Sequence, residues 1–293
     1  MRSLLFVPGD SARKLEKGLA SAADILLIDL EDSVAVAAKP DARKLTAETL
    51  AANVQDHPGR LFVRVNALDT GLTGADLDAV MPARPAGIML PKCNSAADVM
   101  ALDALLGEAE SAHGLEVRST RLLPIITETA AAVLNAHSYA AASLPRLAGL
   151  TWGAEDLSAD IGARTNRDPD GTYTDAFRLA RTVTLLAANA AGTAPVDTVF
   201  PAFSDMAGFE RECREAERDG FTAKMAIHPA QVDIINQIFT PSGEAIAESR
   251  AVVEAFAAAG NPGVVAIGGK MYDRPHLRRA ERILARAEAA GII

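Results

Sequence analysis

Short apolar segments alternate with amphipathic segments along most of the chain. Apolar runs predict buried strands at 4–7, 25–28, 61–66, 87–90, 121–126, 147–151, 196–199 and 222–227. After the runs, apolar residues recur with helical spacing, most clearly at 96–112 and 174–191. Continuous apolar runs are typical of parallel strands that are covered on both faces, so the pattern favours a parallel sheet with helices outside it.

Eight strands alternating with eight helical stretches predict a (β/α)8 barrel of the TIM type. An open, doubly wound parallel sheet is the alternative. Residues 1–228 would form the barrel. Residues 229–293 would follow as a helical extension, with helices at 229–239, 242–259 and 275–290. This extension either packs on the barrel or contacts a neighbouring subunit.

Composition narrows the class of protein. Of the 293 residues, 49% are apolar, which is enough for a sizeable core, and the net charge of −9 argues against non-specific binding of nucleic acid. Cys93 and Cys213 are too few for a disulfide framework or a metal cluster, so a reducing compartment is expected. The N-terminal apolar run is too short for a signal peptide, and no run approaches the ~18 apolar residues of a membrane span. The sequence predicts a cytoplasmic protein without a membrane partner.

Two carboxylates follow neighbouring predicted strands. Glu128 comes after 121–126, and Asp156 comes after 147–151. Parallel α/β folds place their chemistry at the carboxyl ends of the strands, where these two side chains would meet. Mg²⁺ binds through one or two carboxylates together with water or substrate oxygens. The pair therefore predicts a magnesium site, although either acid could instead serve the start of a helix.

A charged residue ends one of the apolar strands. Arg64 would be costly to bury without a partner. It either grips the carboxylate of a substrate, such as a 2-oxo acid, or pairs with an acid that follows the second strand, and the two roles are compatible. Those acids are Asp29, Glu31 and Asp32, of which at least one is expected to face the site and hold a metal-bound water.

The remaining candidates are basic residues. Arg13 and Lys17 follow the Pro8-Gly9 turn and would either hold phosphate or form a solvated helix face. Lys92 follows a strand-ending proline and could contact an anion, although a solvated side chain is the expected outcome. Lys224 is the one lysine within an apolar strand, which leaves a Schiff base open. The absence of G-x-S-x-G, Walker and G-x-G-x-x-G motifs weakens hydrolase, ATP and NAD hypotheses.

Eight motifs in order resemble the citrate lyase β-subunit (CitE-like) family of the HpcH/HpaI aldolase superfamily, which includes malyl-CoA and citramalyl-CoA lyases. They are LLFVPGD, LLIDLEDSV, LFVRVN, MLPK, IITET, GAEDLSADIG, KMAIHPAQ and GKMYDRPH. The resemblance implies a TIM-type barrel, Mg²⁺ and reversible cleavage of a β-hydroxyacyl-CoA into an acyl-CoA and a 2-oxo acid. It also implies a homotrimer or hexamer.

The family's functional positions fall on residues of this chain. The resemblance implies metal ligands at Glu128 and Asp156, a substrate-carboxylate arginine at Arg64, and supporting acids at Asp29 and Glu31. It also implies that Asp273 reaches the site of a neighbouring subunit as the catalytic base. Without the resemblance, Asp273 would be interpreted as a helix N-cap before Pro275.

Further contacts are assigned with the family in mind. Backbone N–H groups of Gly153 and Ala154 are expected to face the substrate carboxylate, and Arg13, Lys17 and His228 are assigned to CoA. Three alternative functions remain open. They are a malyl-CoA-type thioesterase, a citrate lyase β-subunit acting on an acyl-carrier thioester, and a metabolite-binding barrel without turnover.

Overall fold

All eight predicted strands are present and parallel. The computed structural model describes the whole chain, Met1–Ile293. The strands of the large sheet are β1 (Ser3–Pro8), β2 (Ile25–Asp29), β3 (Leu61–Arg64), β4 (Gly87–Leu90), β5 (Arg121–Pro124), β6 (Gly149–Thr151), β7 (Ala194–Asp197) and β8 (Ala223–Ala226). They follow the order β5-β4-β3-β2-β1-β8-β7-β6.

The two ends of this strand order meet, so the sheet closes. The N–H of Ala148 donates to the carbonyl of Leu122 at 2.8 Å, and the N–H of Ile126 donates to the carbonyl of Thr151 at 2.9 Å. These bonds join the β5 and β6 segments in parallel. The predicted (β/α)8 barrel is therefore confirmed, and the open doubly wound sheet is wrong.

Helices separate successive strands. They are α1 (Ala12–Leu19), α2 (Lys39–Asn53), α3 (Thr73–Val80), α4 (Ala96–Ala112), α5 (Ala130–Asn135), α6 (Ser138–Ala141), α7 (Ala154–Asp160), α8 (Asp175–Ala190), α9 (Met206–Asp219) and α10 (Ala230–Phe239). Their inner faces bury residues at helical spacing, such as Phe177, Ala180, Thr184 and Ala188 on α8. The short α7 was not predicted, because its sequence lacks an apolar stripe.

A buried ion pair ties α4 to the barrel wall. Arg146, just before β6, donates to both carboxylate oxygens of Glu110 at 2.6 and 2.8 Å. The same carboxylate accepts the N–H groups of Arg118 and Thr120. Burial disfavours the charged form, but these donors outweigh it and lower the pKa of Glu110 to about 2. A fully donor-satisfied carboxylate can thus remain ionised inside the fold.

The chain divides into two compact units, Arg2–Ile235 and Asn236–Ile293, the second together with Met1. The smaller unit contains α11 (Gly243–Ala258), β9 (Val264–Ile267), β10 (Lys270–Asp273) and α12 (Arg274–Ala289). Its own core is built from Val252, Phe256, Val265, Leu277 and Ala280.

The antiparallel β9–β10 hairpin corrects the prediction of a purely helical extension. Ile267 pairs with Lys270 across the two-residue turn Gly268-Gly269, and both glycines have positive φ, at 55° and 76°. Such a turn matches the twist of a hairpin and favours Gly-Gly. The three helices of the extension are present as predicted. None of the helices in the structure combines the length and apolar character needed to cross a membrane.

Candidate active site at the carboxyl ends of the strands

Charged side chains from adjacent strands converge at one end of the barrel. Asp29 is the last residue of β2 and Arg64 is the last residue of β3, and the two are direct partners in the strand register. Lys92 follows β4, Glu128 follows β5, and Asp156 lies in the first turn of α7 after β6. Because parallel strands share one direction, their carboxyl ends bring these side chains to the same face.

Arg64 is held rigidly by two acids. Its Nε and Nη2 donate to the two carboxylate oxygens of Asp29, each at 2.7 Å, and its Nη1 lies 2.9 Å from Oε2 of Glu31. Although burial disfavours its charge, the bonds from Arg64 keep the pKa of Asp29 below its ordinary value. The guanidinium also lies 4.9 Å from the centre of the Phe6 ring. Arg64 is therefore a fixed, fully charged group.

A cavity of about 270 Å³ opens beside Arg64. Its charged lining comes from Asp29 and Arg64, while its walls are largely apolar and include Phe6, Val199 and Ile227. An apolar pocket with a few convergent polar groups is the usual form of a small-molecule site. The cavity can therefore receive a ligand whose anionic group faces Arg64.

Glu128 and Asp156 form a pair of interacting carboxylates. Glu128 is only 2% exposed. Its burial, followed by the nearby charge of Asp156, raises the pKa of Glu128 to about 8. The backbone N–H of Lys92 donates to Oε2 of Glu128. The effect of burial and of Asp156 on Glu128 thus outweighs the opposing effect of Lys92.

Gly153 allows the two acids to approach. A Cβ atom at Gly153 would lie 2.8 Å from Cγ of Glu128, so the β6–α7 turn can pass Glu128 only without a side chain there. The N–H of Gly153 donates to the hydroxyl of Thr127 at 3.4 Å. Ala154 begins α7. The assignment of Gly153 and Ala154 to a substrate carboxylate stays a prediction, and the steric role of Gly153 is additional to it.

The site fits a divalent cation that needs few protein ligands. No group of three or more His, Cys, Asp or Glu side chains is arranged to hold a metal ion alone. Mg²⁺ commonly takes one or two carboxylates and fills its other positions with water or substrate oxygens. The deeply buried and under-compensated Glu128, with Asp156 beside it, meets that requirement.

The sequence favoured a solvated side chain for Lys92, but in the structure this side chain forms ion pairs with acids of the site. Instead of lying in solvent, its Nζ donates to Oε1 of Glu31 and lies 3.2 Å from Asp32 and 3.7 Å from Asp156. Burial would lower the pKa of Lys92, but the bond to Glu31 and the surrounding carboxylates raise it above its ordinary value. The position of Lys92 directly after a strand and a proline is the sequence feature that places it at the carboxyl ends of the strands.

Asp273 lies in the smaller unit. It is the N-cap of α12, where its carboxylate accepts the N–H of His276 and lies 2.5 Å from the ring Nδ1 of His276. Its side chain is 44% exposed. The capping role that the sequence left as an alternative is thus realised, and a capping carboxylate with this exposure remains accessible to other groups.

The residues assigned to CoA lie on the surface. Arg13 and Lys17 are exposed on α1, after the Pro8-Gly9 turn. His228 is stacked against the exposed ring of Phe203 at 5.5 Å, and the adjacent Ile227 lines the cavity beside Arg64. Phe203 gave no sequence signal, because it lies in a loop without a recognisable motif.

Lys224 is excluded as a Schiff-base nucleophile. It is fully buried and its Nζ donates to Asp197, to Glu212 and to the carbonyl of Thr198, each at 2.8 Å. Despite its burial, these carboxylates raise the pKa of Lys224. An ammonium that is permanently charged and fully bonded is not a nucleophile.

A second cavity, of about 600 Å³, is lined by other charged residues, among them Arg167, Arg181 and Glu212. These two arginines are already paired with acids, Arg167 with Glu212 at 2.6 Å and Arg181 with Asp219 at 2.8 Å. The converging groups at the ends of β2 to β6, and not the larger cavity, therefore define the candidate active site.

A closed parallel barrel with acidic and basic side chains at the carboxyl ends of its strands is the arrangement of (β/α)8-barrel enzymes. Within this class, the profile of the family described as HpcH/HpaI aldolase/citrate lyase matches residues 2–229. The chain belongs to this family, which confirms the resemblance seen in its motifs.

Relatives of known name are similar over nearly the whole chain. The citrate lyase subunit beta of Escherichia coli is 38% identical, over 99% of this chain and 94% of that protein. The (3S)-malyl-CoA thioesterase of Cereibacter sphaeroides is 38% identical, over 98% and 95% of the two chains. The L-malyl-CoA/beta-methylmalyl-CoA lyase of Rhodobacter capsulatus is 36% identical, over 99% and 96%.

A solved structure shares the fold. The crystal structure of CitE from Mycobacterium tuberculosis in complex with magnesium, acetoacetate and coenzyme A matches with a TM-score of 0.74. The two chains are 35% identical, and the match covers 98% of each. The fold and the sequence thus identify the same group of proteins.

Proposed function

We propose that the protein is a Mg²⁺-dependent carbon–carbon lyase that reversibly cleaves a β-hydroxyacyl-CoA of the malyl-CoA or citramalyl-CoA type. The products would be an acyl-CoA and a 2-oxo acid. The observation that carries this proposal is the Glu128–Asp156 pair beside Arg64 at the carboxyl ends of the strands. The lyase named among the relatives and the magnesium and coenzyme A bound in the related CitE structure support it.

Glu128 and Asp156 would hold the magnesium ion. When bound, Mg²⁺ supplies Lewis-acid polarisation of the carbonyl of a 2-oxo acid. Arg64, fixed by Asp29 and Glu31, would bind the substrate carboxylate and neutralise the negative charge that develops on the reacting oxygen. The N–H groups of Gly153 and Ala154 would face the same carboxylate.

Asp273 would supply the base from a neighbouring subunit. In the condensation direction its carboxylate removes a proton from the α-carbon of the acyl-CoA. The resulting enolate attacks the carbonyl carbon of the 2-oxo acid and forms the new C–C bond. The former carbonyl oxygen takes up a proton from water and becomes the β-hydroxyl group. In cleavage the hydroxyl group loses this proton to water, the same C–C bond breaks and Asp273 returns its proton to the α-carbon. This role requires residues 229–293 to contact another subunit, and therefore a homotrimer or hexamer.

The CoA moiety would lie across the exposed surface next to the cavity. Arg13 and Lys17 would meet its phosphates, and His228 would contact its organic part next to Phe203 and Ile227. Both cysteines are free and buried, which supports a cytoplasmic location.

A thioesterase is the second candidate, because a (3S)-malyl-CoA thioesterase is as similar to the chain as the citrate lyase subunit beta. Water reaching the thioester carbonyl at the same site would release free CoA and malate. A citrate lyase β-subunit would instead need an acyl-carrier thioester and partner subunits, and a binding barrel would show no turnover.

One screen separates these functions. Purified protein is incubated with malyl-CoA, citramalyl-CoA or β-methylmalyl-CoA, with and without Mg²⁺, and acyl-CoA, 2-oxo acid and free CoA are measured. The lyase predicts equal amounts of acyl-CoA and 2-oxo acid. Release of free CoA without a 2-oxo acid would show that the protein is a thioesterase and not a lyase. Absence of turnover of all three CoA thioesters would contradict both functions.

A further inference from the structure

Lys92 occupies an unusual backbone position between two proposed metal ligands. Its φ of 55° places a residue with a β-carbon in the left-handed region, which is strained and persists only where the surroundings impose it. This conformation follows Pro91 at the end of β4. The N–H of Lys92 then donates to Oε2 of Glu128. The strained backbone thus supplies the hydrogen bond that holds this buried carboxylate.

The side chain of the same residue extends to a second group of carboxylates. Its Nζ donates to Oε1 of Glu31 and lies 3.2 Å from Asp32 and 3.7 Å from Oδ1 of Asp156. One residue therefore contacts Glu128 through its backbone and Asp156 through its ammonium.

The charges around Lys92 are not otherwise balanced. The face carries five carboxylates, from Asp29, Glu31, Asp32, Glu128 and Asp156. Arg64 pairs with Asp29 and Glu31. Asp156 has a single ion-pair partner, the ammonium of Lys92. In the absence of another cation, Lys92 is what offsets the repulsion between Asp156 and its neighbours.

We infer that Lys92 is the resident counter-cation of the magnesium site, and that a divalent cation must displace its ammonium from Asp156 in order to bind. Lys92 then sets the affinity for magnesium in two opposed ways. Its backbone N–H orients Glu128 and favours binding, whereas its ammonium competes with the incoming cation and weakens binding. The inference rests on the proposed magnesium site.

The two effects are separable by substitution. Lys92→Met removes the ammonium and keeps the N–H, so MgCl₂ titrated calorimetrically into the full-length protein should bind roughly tenfold more tightly than to the wild type, since a positive charge near the cation is lost. The metal-free variant should also melt at a lower temperature, because the carboxylates then repel one another. Lys92→Arg keeps the charge and should stay close to the wild type in both measurements.

Controls make the result decisive. Lys44→Met removes an exposed lysine on α2 and changes the net charge equally, and it should alter neither measurement. Lys92→Gly keeps the N–H and relieves the left-handed strain, so it should reproduce the tighter binding even if Lys92→Met folds poorly. Wild-type binding of Mg²⁺ with equal or weaker binding by both Lys92→Met and Lys92→Gly would overturn the role of Lys92. Absence of Mg²⁺ binding by the wild type would instead overturn the metal site itself.

Discussion

At the residue scale, burial and a neighbouring acid leave Glu128 in need of a counter-charge at the proposed magnesium site. Burial and the neighbouring charge of Asp156 raise the pKa of Glu128, which is 2% exposed, to about 8. A divalent cation at the proposed site would compensate the charge of Asp156 as well. The sequence located both acids because each follows an apolar run. It did not reveal their electrostatic coupling, which depends on the spacing of β5 and β6.

Gly153→Ala tests whether the close approach of the β6–α7 turn positions Glu128. The added Cβ would overlap Cγ of Glu128, so the carboxylate should shift and the affinity for Mg²⁺ should fall by roughly 10- to 100-fold. Calorimetric titration of MgCl₂ measures the effect. Gly107→Ala is the matched control, because its Cβ meets nothing within 4 Å on α4 and should leave binding unchanged. Equal affinity of Gly153→Ala and the wild type for Mg²⁺ would show that the close approach at Gly153 does not position Glu128.

At the scale of elements, the spacing of apolar residues along the sequence was sufficient to predict most strands and helices. The turn Gly268-Gly269 is also typical of a hairpin, although the helical spacing on both sides of it predicts helices alone. Val265 of β9 packs with residues of α11 and α12 only after the chain folds, so the strand character of β9 depends on tertiary contacts. The ion pair between Glu110 and Arg146 could not be predicted from the sequence either, because 36 residues separate the two.

Acid should weaken the link between α4 and β6. The pKa of Glu110 is about 2 in the folded protein, below its ordinary value of 4.5. Its stabilising contribution is therefore complete above about pH 4.5 and is lost as the pH falls towards 2. Glu110→Gln should lower the free energy of unfolding at pH 7 by about 3 kcal/mol, because it leaves the buried Arg146 with Asp103 as its remaining ion-pair partner. Near pH 2 the two proteins should converge.

Urea unfolding of both proteins between pH 2 and pH 7 measures this difference. The exposed Glu116→Gln on the following segment is the control and should follow the wild type throughout. A constant difference between Glu110→Gln and the wild type across this range would show that the ionisation of Glu110 is not the cause.

Asp273→Asn separates the capping role of Asp273 from its proposed role as base. Asn is about as good an N-cap as Asp, so α12 and the melting temperature should be retained. A carboxamide cannot accept the α-proton, so turnover should fall by roughly 10²–10⁴-fold while the affinity for Mg²⁺ stays unchanged. Steady-state kinetics and thermal denaturation check both parts. Wild-type turnover in Asp273→Asn would reject Asp273 as the base.

For the whole molecule, the order of eight strands was predictable because each βα unit repeats the same alternation. Closure of the barrel was also predictable from their number. The assembly of chains follows from no pattern within one chain, since Asp273 reaches a neighbour only if the subunits are arranged to permit it. The proposed oligomer therefore requires a test on mixed subunits.

Mixing two inactive variants provides that test. Glu128→Ala lacks the proposed metal ligand and Asp273→Asn lacks the proposed base. If each site combines Glu128 of one subunit with Asp273 of another, random reassembly of equal amounts should restore about a quarter of wild-type activity in a cyclic oligomer. Activity is measured after the subunits have been dissociated and reassembled together. No recovery in mixed oligomers confirmed by mass would contradict a shared site.

The most direct test of the account measures both products of malyl-CoA or citramalyl-CoA cleavage by the wild type and by Glu128→Ala, with Mg²⁺ or with EDTA. We predict that the wild type releases acyl-CoA and a 2-oxo acid in equal amounts only when Mg²⁺ is present, and that Glu128→Ala releases neither. Cleavage that persists in EDTA, or in Glu128→Ala, would contradict a magnesium-dependent lyase built on this pair of carboxylates.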